Sequence, residues 1–425
     1  MSMISSQYAV YLPAVNSSYA KEVLKALPAN RSFPQGLDLQ DLIFWDRNNR
    51  LWHHNEILHS VGLHKYGSVI DNAVTRMGQT DCFLVGDSGG FQIGKGELKG
   101  YKPLHKRLTS VQAMDVWRDA YELKRWIVSW LETHCDYAMT LDMPLWATME
   151  GNAKSPFHKC SVAELTALTA QNLKFIDSHR ENRTKWLNVI QGLDTDSIKA
   201  WWDAVKWFDC EGYALAGKAG ADGGIVQVLR TLLTMRDDGA FMHKHRWLHV
   251  LGVSTPQWAI YLTAIQQALR ESVGTDIRVS FDSSSPYRTG GEFEQICEMP
   301  TFEQKPSTWT IKAVNSPQSL RFYKSTECFG FESPLGRLMT MGDLNVKGGD
   351  WDYRTFDTVS NLMLVNHNVW TYLQAFETAN TVAFDGGDGQ VPYYWQECIK
   401  FIRMIFKADN WRNELDNNKT LSGNF

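Results

Sequence analysis

Gly86-Asp87-Ser88-Gly89-Gly90 fits the loose pattern G-x-S-x-G, in which a tight strand-to-helix turn raises a serine for nucleophilic attack. Read that way, Ser88 would attack an acyl carbon and a histidine such as His249 would take its proton. The bland reading of the same five residues is a glycine turn with no chemistry. A second set of residues closes a series of short apolar runs: Asp87, Asp142, Gln191, Gly217, Gly252 and Asp282. Carboxylates at such positions can act as acid, base or nucleophile, although a strand-end aspartate is often only a helix cap.

The elements that would position these residues alternate along the chain. Strand-like runs occur at Cys82–Gly86, Tyr137–Leu141, Leu187–Ile190, Tyr213–Ala216, Trp247–Leu251 and Arg278–Phe281. Between them lie helical patterns at Val111–Leu131, Val162–His179, Asp196–Phe208, Ile225–Met235 and Pro256–Val273. Alternation of this kind predicts parallel strands joined by crossover helices, and a (β/α)8 TIM-type barrel would bring the polar strand ends onto one face. An open doubly wound sheet would also place ligands at those ends. The expected organisation is an irregular N-terminal segment packed on the barrel (1–80), the main part of the barrel (81–290), and a C-terminal insertion with closing helices (291–425). The last part includes helices near Phe356–Asn380 and Tyr393–Lys407 and is the expected nucleic-acid-contacting region.

A net charge of −4 over 425 residues excludes a globally basic nucleic-acid binder, so any such contact must be a local patch. No apolar run reaches the ~18 residues of a membrane span, and no signal-like segment opens the chain, so the expectation is an unanchored cytoplasmic protein. Seven scattered cysteines predict no disulfides. Secreted trypsin-like proteases carry the same five letters around their serine, but they are disulfide-bearing all-β chains with that serine late in the sequence. With 17 Trp, 15 Tyr and 20 Phe, the chain has the means to stack planar bases.

Together with Phe91 and Gln92, the first motif resembles the DSGGFQ signature of the tRNA-guanine transglycosylase family. Four later segments continue the resemblance in order. Asn188-Val189-Ile190-Gln191-Gly192 looks like the family's strand ending in glutamine and glycine. Glu211-Gly212-Tyr213-Ala214-Leu215-Ala216-Gly217-Lys218-Ala219-Gly220 is similar to its glycine-rich substrate loop. His249-Val250-Leu251-Gly252-Val253 resembles the next strand end, and Phe281-Asp282-Ser283-Ser284-Ser285-Pro286-Tyr287-Arg288 the nucleophile segment. The matches span about 200 residues.

The resemblance implies base exchange by double displacement. Asp282 would attack the anomeric carbon and form a glycosyl-aspartyl intermediate, while Asp87 would protonate the leaving base and deprotonate the incoming one. It also implies a guanine pocket in which Asp142 faces the ring N–H and amino donors. Gln191 and the Gly217 N–H would face the carbonyl, Phe91 and Leu251 would sandwich the ring, and Ser88 and Lys218 would line the substrate. Arg288 is the expected polymer contact, with Lys305, Lys312, Arg321 and Lys324 as weaker candidates. A base inside a duplex would have to flip out to react.

The chain departs from the tRNA-acting members in one informative way. Their structural zinc uses a C-x-C-x2-C cluster and a later histidine, whereas here His367 stands without the cysteine triplet, so the zinc is expected to be absent and no cofactor is expected. Ala216 and Lys218 also differ from the family's loop, which leaves the incoming base open. Loss of the zinc module resembles the DNA-guanine transglycosylases of bacteria and phages, which insert 7-deazaguanine derivatives into DNA. DNA is therefore the expected polymer, with tRNA and a Ser88 hydrolase as alternatives, and a homodimer is left open.

Overall fold

The structure, a computed structural model, describes residues 7–76, 82–216, 224–242, 244–274, 276–347, 355–386 and 390–418. Eight parallel strands form a (β/α)8 barrel: β1 (Val10–Pro13), β2 (Glu56–Ser60), β3 (Phe83–Asp87), β4 (Tyr137–Met139), β5 (Lys185–Ile190), β6 (Gly212–Leu215), β7 (Trp247–Val250) and β8 (Arg278–Ser283). They are hydrogen-bonded in the order β1-β8-β7-β6-β5-β4-β3-β2. A parallel bridge between Ala14 and Leu58, with Val15 N–H donating to the Leu58 carbonyl (2.8 Å), joins β1 to β2.

The two residues per repeat of a strand sort the side chains into two cores. Leu12, Leu58, Val85, Tyr137, Met139, Leu187, Val189, Ala214 and Trp247 point inward and fill the bore. Phe83 and Trp247 stack there at 4.8 Å between ring centroids. The intervening residues face the surrounding helices in one large outer core. Adding two to an inward residue on its strand gives the next layer up, which places Ser60, Asp87, Gln191, Leu251 and Asp282 at the carboxyl-terminal mouth. Register confirms the parity, since Ser60 lies opposite Asp87 and Leu12 opposite Asp282.

Residues 1–80 were expected to pack outside the barrel but supply two of its eight strands. Of the two, β2 breaks the apolar pattern at its inward positions, while β1 keeps it with Val10 and Leu12 but is only four residues long. In β2 the inward residues are Glu56, Leu58 and Ser60; Glu56 forms an ion pair with Arg278 at the foot of the barrel, and Ser60 meets Asp87 at the mouth. The single helix expected over Val111–Leu131 is two, Ser110–Arg118 and Tyr121–His134. Ala120 adopts ψ 46° between them, and Lys124 Nζ donates to the freed Arg118 carbonyl (3.3 Å). The other crossover helices fall within a few residues of expectation and start on side-chain caps, such as Ser161 with Glu164 and Thr255 ahead of Pro256.

After β8 a short helix (Ser285–Gly291) leads into an insertion built on the hairpin Gln295–Glu298 and Lys312–Asn315. The long helix Thr358–Phe384 then returns beside β1 and the helix Pro256–Val273, followed by helices Tyr393–Ile405 and Trp411–Asn417. All seven cysteines are free thiols, six of them buried. Among the described residues no helix is long and apolar enough to cross a membrane.

Candidate active site

The turn after β3 explains the glycines of its motif. Gly89 sits at φ +88°, and a Cβ there would lie 2.8 Å from the Gly62 Cα in the loop after β2. The two loops therefore lock back to back. This contact seats Asp87, which accepts hydrogen bonds from the Ser60 hydroxyl and the Gly89 N–H. Burial nevertheless pushes the Asp87 carboxyl above its ordinary range, and the nearby charge of Asp282 pushes it further. A carboxyl in that state is suited to hold a proton and deliver it.

Asp282, at the end of β8, is 8 % exposed and lives in different company. Its Oδ1 lies 3.2 Å from His249 Nε2 and accepts the Gly252 N–H at 3.0 Å. Gly252 reaches it through a turn at φ +73°, a conformation that favours glycine. His249 is fully buried, and its Nδ1 lies 2.8 Å from Ser280 Oγ, which also accepts the Trp247 indole N–H at 2.8 Å.

Asp142 follows β4 and packs against Gly90, where a Cβ would come within 3.3 Å of its Oδ1. Burial, and then the charge of Asp87, raise its carboxyl to about 7. Gln191 does not point its amide into the mouth as expected. Its Nε2 donates to Asp142 Oδ2 and to the Met143 carbonyl (3.1 Å), and its Oε1 accepts the Leu145 N–H (2.8 Å). Every amide atom is thus engaged, and Gln191 orients Asp142 rather than presenting donors to a base carbonyl.

Ser88 does not face the mouth as expected: its side chain is fully buried and donates to the Thr140 carbonyl (3.1 Å). His249, its proposed base, is committed to Ser280 and Asp282, so the serine-hydrolase constellation is not assembled. Phe91 stands 55 % exposed at the rim, 5.4 Å from the Trp146 ring with Lys95 over its face, and Leu251 packs on top of the bore. Gly217 and Lys218 lie outside the described residues.

The five expected polymer contacts are all exposed. Arg288 pairs with Glu292 at 3.2 Å and covers Phe293, while Arg321 lies over Phe322 and Lys324 over Tyr323. A second basic surface went unnoticed in the sequence. The short helix Gly90–Lys95 and the loop after it carry Lys95, Lys99, Lys102, Lys106 and Arg107 against one acid, Glu97, and all five cations are exposed. Only Lys106 has an ion-pair partner among the described residues, Glu97 at 4.0 Å. The charge run at 95–107 was its visible signal.

His367 does not fit a zinc site. Its Nδ1 lies 2.9 Å from Ser333 Oγ and its Nε2 3.0 Å from the Cys297 carbonyl, and burial lowers its imidazole to about 4. Among the described residues no group of three or more metal-ligating side chains comes together. No protein-family model matches the chain, and no curated protein matches it.

Proposed function

We propose that this chain is a nucleic-acid guanine transglycosylase, a pentosyltransferase that replaces guanine in DNA with a 7-deazaguanine derivative. The observation that carries the reading is the pair of strand-end carboxylates in contrasting surroundings: Asp87, half-buried and pushed toward its protonated form by desolvation, and Asp282, presented by β8 with one oxygen tied to two donors. Two carboxyls so differentiated can divide general-acid and nucleophile work at an anomeric carbon.

In the first displacement the Asp282 carboxylate bonds to C1′, the bond from C1′ to the base nitrogen breaks, and Asp87 protonates the departing base. In the second, the incoming base gives its proton to Asp87 and attacks C1′, and Asp282 leaves as a carboxylate. Asp142, oriented by Gln191, accepts from the N–H and amino donors of the base. The base carbonyl would be met by backbone rather than by Gln191. DNA is preferred because His367 and its neighbours are built without the zinc module of the tRNA-acting proteins the sequence resembles. The exposed cations of the 95–107 loop, on the mouth side of β3, offer a track for the phosphates of a flipped strand.

Purified protein incubated with radiolabelled guanine or 7-cyano-7-deazaguanine tests the reading. Label should enter DNA, vanish with Asp282→Ala and persist with Ser88→Ala. Label in tRNA alone overturns the choice of polymer. No label in either, or full activity of Asp282→Ala, overturns the chemistry.

A further inference from the structure

Beneath the mouth, the bore of the barrel holds a continuous polar chain that ends on Asp282. Trp247 Nε1 can only donate, so Ser280 Oγ accepts its hydrogen at 2.8 Å. The hydroxyl proton of Ser280 is then free to go to His249 Nδ1, also 2.8 Å away. This leaves the imidazole with its hydrogen on Nε2, facing Asp282 Oδ1 at 3.2 Å. Trp247, His249 and Ser280 are all but fully inaccessible to solvent (1 %, 0 % and 0 % exposed), so water does not compete for these bonds. Gly252 N–H supplies a second donor to the same oxygen. Among the described residues, Asp282 Oδ2 receives no donor.

Resting on the base-exchange reading above, we infer that His249 is a positioning residue held in one tautomer by Ser280 and Trp247, and that it makes Oδ2 the attacking atom and favours departure of Asp282 in the second displacement. When the Oδ2–C1′ bond forms, negative charge leaves the carboxylate and Oδ1 becomes an ester carbonyl. When the incoming base attacks C1′ and that bond breaks, the electron pair returns to Asp282. Hydrogen bonds to a charged oxygen are stronger than those to a neutral one, so the His249 and Gly252 donors stabilise the released carboxylate more than the ester. They therefore lower the barrier to breakdown of the intermediate and slightly restrain its formation.

The two steps can be separated experimentally. Wild type, His249→Leu, His249→Gln and Ser280→Ala are each incubated with a guanine-containing single-stranded oligonucleotide and with a tRNA transcript. Base incorporation is measured alongside the fraction of protein in a covalent adduct that survives denaturing electrophoresis. His249→Leu should lose turnover by roughly ten- to a hundredfold while its adduct fraction rises, because breakdown has become slow. His249→Gln, whose amide N–H can occupy the place of Nε2–H, should recover most of the turnover and shed the excess adduct. Ser280→Ala frees the tautomer and should shift both quantities in the same direction by less; it carries the test if His249→Leu fails to fold. Wild-type turnover in His249→Leu, or reduced turnover without extra adduct in both His249→Leu and Ser280→Ala, overturns the inference while base exchange stands. A wild-type protein with neither adduct nor incorporation on either polymer overturns base exchange, and the inference with it.

Discussion

Asp87 and Asp282 are the same residue type at the same height of one barrel, with only β1 and β2 between their strands, yet the fold treats them oppositely. Asp87 has two hydrogen-bond donors, Ser60 and Gly89, and burial still outweighs them and raises its carboxyl. Asp282 meets an imidazole nitrogen and a backbone N–H that converge on a single oxygen, leaving the other unpaired among the described residues. Counting donors does not separate an acid from a nucleophile, since each carboxyl has two; what sets Asp87 apart is a desolvation cost that its donors do not offset.

The sharpest way to break this contrast is Asp87→Asn, which keeps the shape of the side chain and removes the proton of the proposed general acid. Turnover should fall roughly 10²- to 10⁴-fold. The alkaline limb of the wild-type kcat profile, which the raised Asp87 carboxyl places above the ordinary carboxylate range, should disappear in the variant. A pH–rate series on both proteins checks this, and an unchanged profile would remove Asp87 from the acid role.

The next effect concerns the rim. Replacing Lys95, Lys99, Lys102, Lys106 and Arg107 by Gln together should weaken polymer binding and flatten its salt dependence by about 0.7 to 0.9 in the log–log slope for each phosphate no longer neutralised. Titrations at several salt concentrations read both quantities. The same replacement of Arg288, Lys305, Lys312, Arg321 and Lys324 shows which rim carries the backbone, and an unchanged slope in the first variant clears its loop of that role.

The smallest effect is on stability. Asp142 titrates at about 7 in the fold against roughly 3.9 in an unfolded chain. A carboxyl raised on folding contributes stability that is complete below the unfolded value and is lost as pH climbs through the folded one. Asp142→Asn should therefore melt higher than wild type at pH 8, by at most about 4 kcal/mol of unfolding free energy, with the gap closing toward pH 4. Melting curves at pH 4, 6 and 8 decide it. The same variant should lose affinity for guanine, so stability and function would move in opposite directions.

The sequence made most of the barrel legible from β3 to β8, because those strands carry mostly apolar runs that sit between regular helices. It hid β2, whose inward Glu56 and Ser60 are polar, and β1, whose four residues make too short a run to stand out. Strand parity turns Asp87 and Asp282 toward the mouth, whereas Asp142 lies beyond the end of β4 and is placed by its contacts with Gly90 and Gln191. The strand-end rule misjudged Ser88, which falls on the opposite parity and turns into the wall, and Gln191, whose partners Met143 and Leu145 come from a loop with no periodic signal. His249 belongs to Asp282 and not to Ser88. Only its register opposite Ser280 links it to Asp282, and register is absent from a single strand's pattern.

The pairing of β1 with β8 also bears on how the protein is made. Leu12 must wait for Asp282, 270 positions later in the chain, before the ring can close. At a ribosomal pace of roughly 5–20 residues per second, that strand emerges on the order of 10–60 s before its neighbour exists. The last strand to arrive is the one bearing Asp282, the proposed nucleophile. A half-made chain therefore holds Asp87 without Asp282, and the proposed chemistry would become available only when the ring is whole.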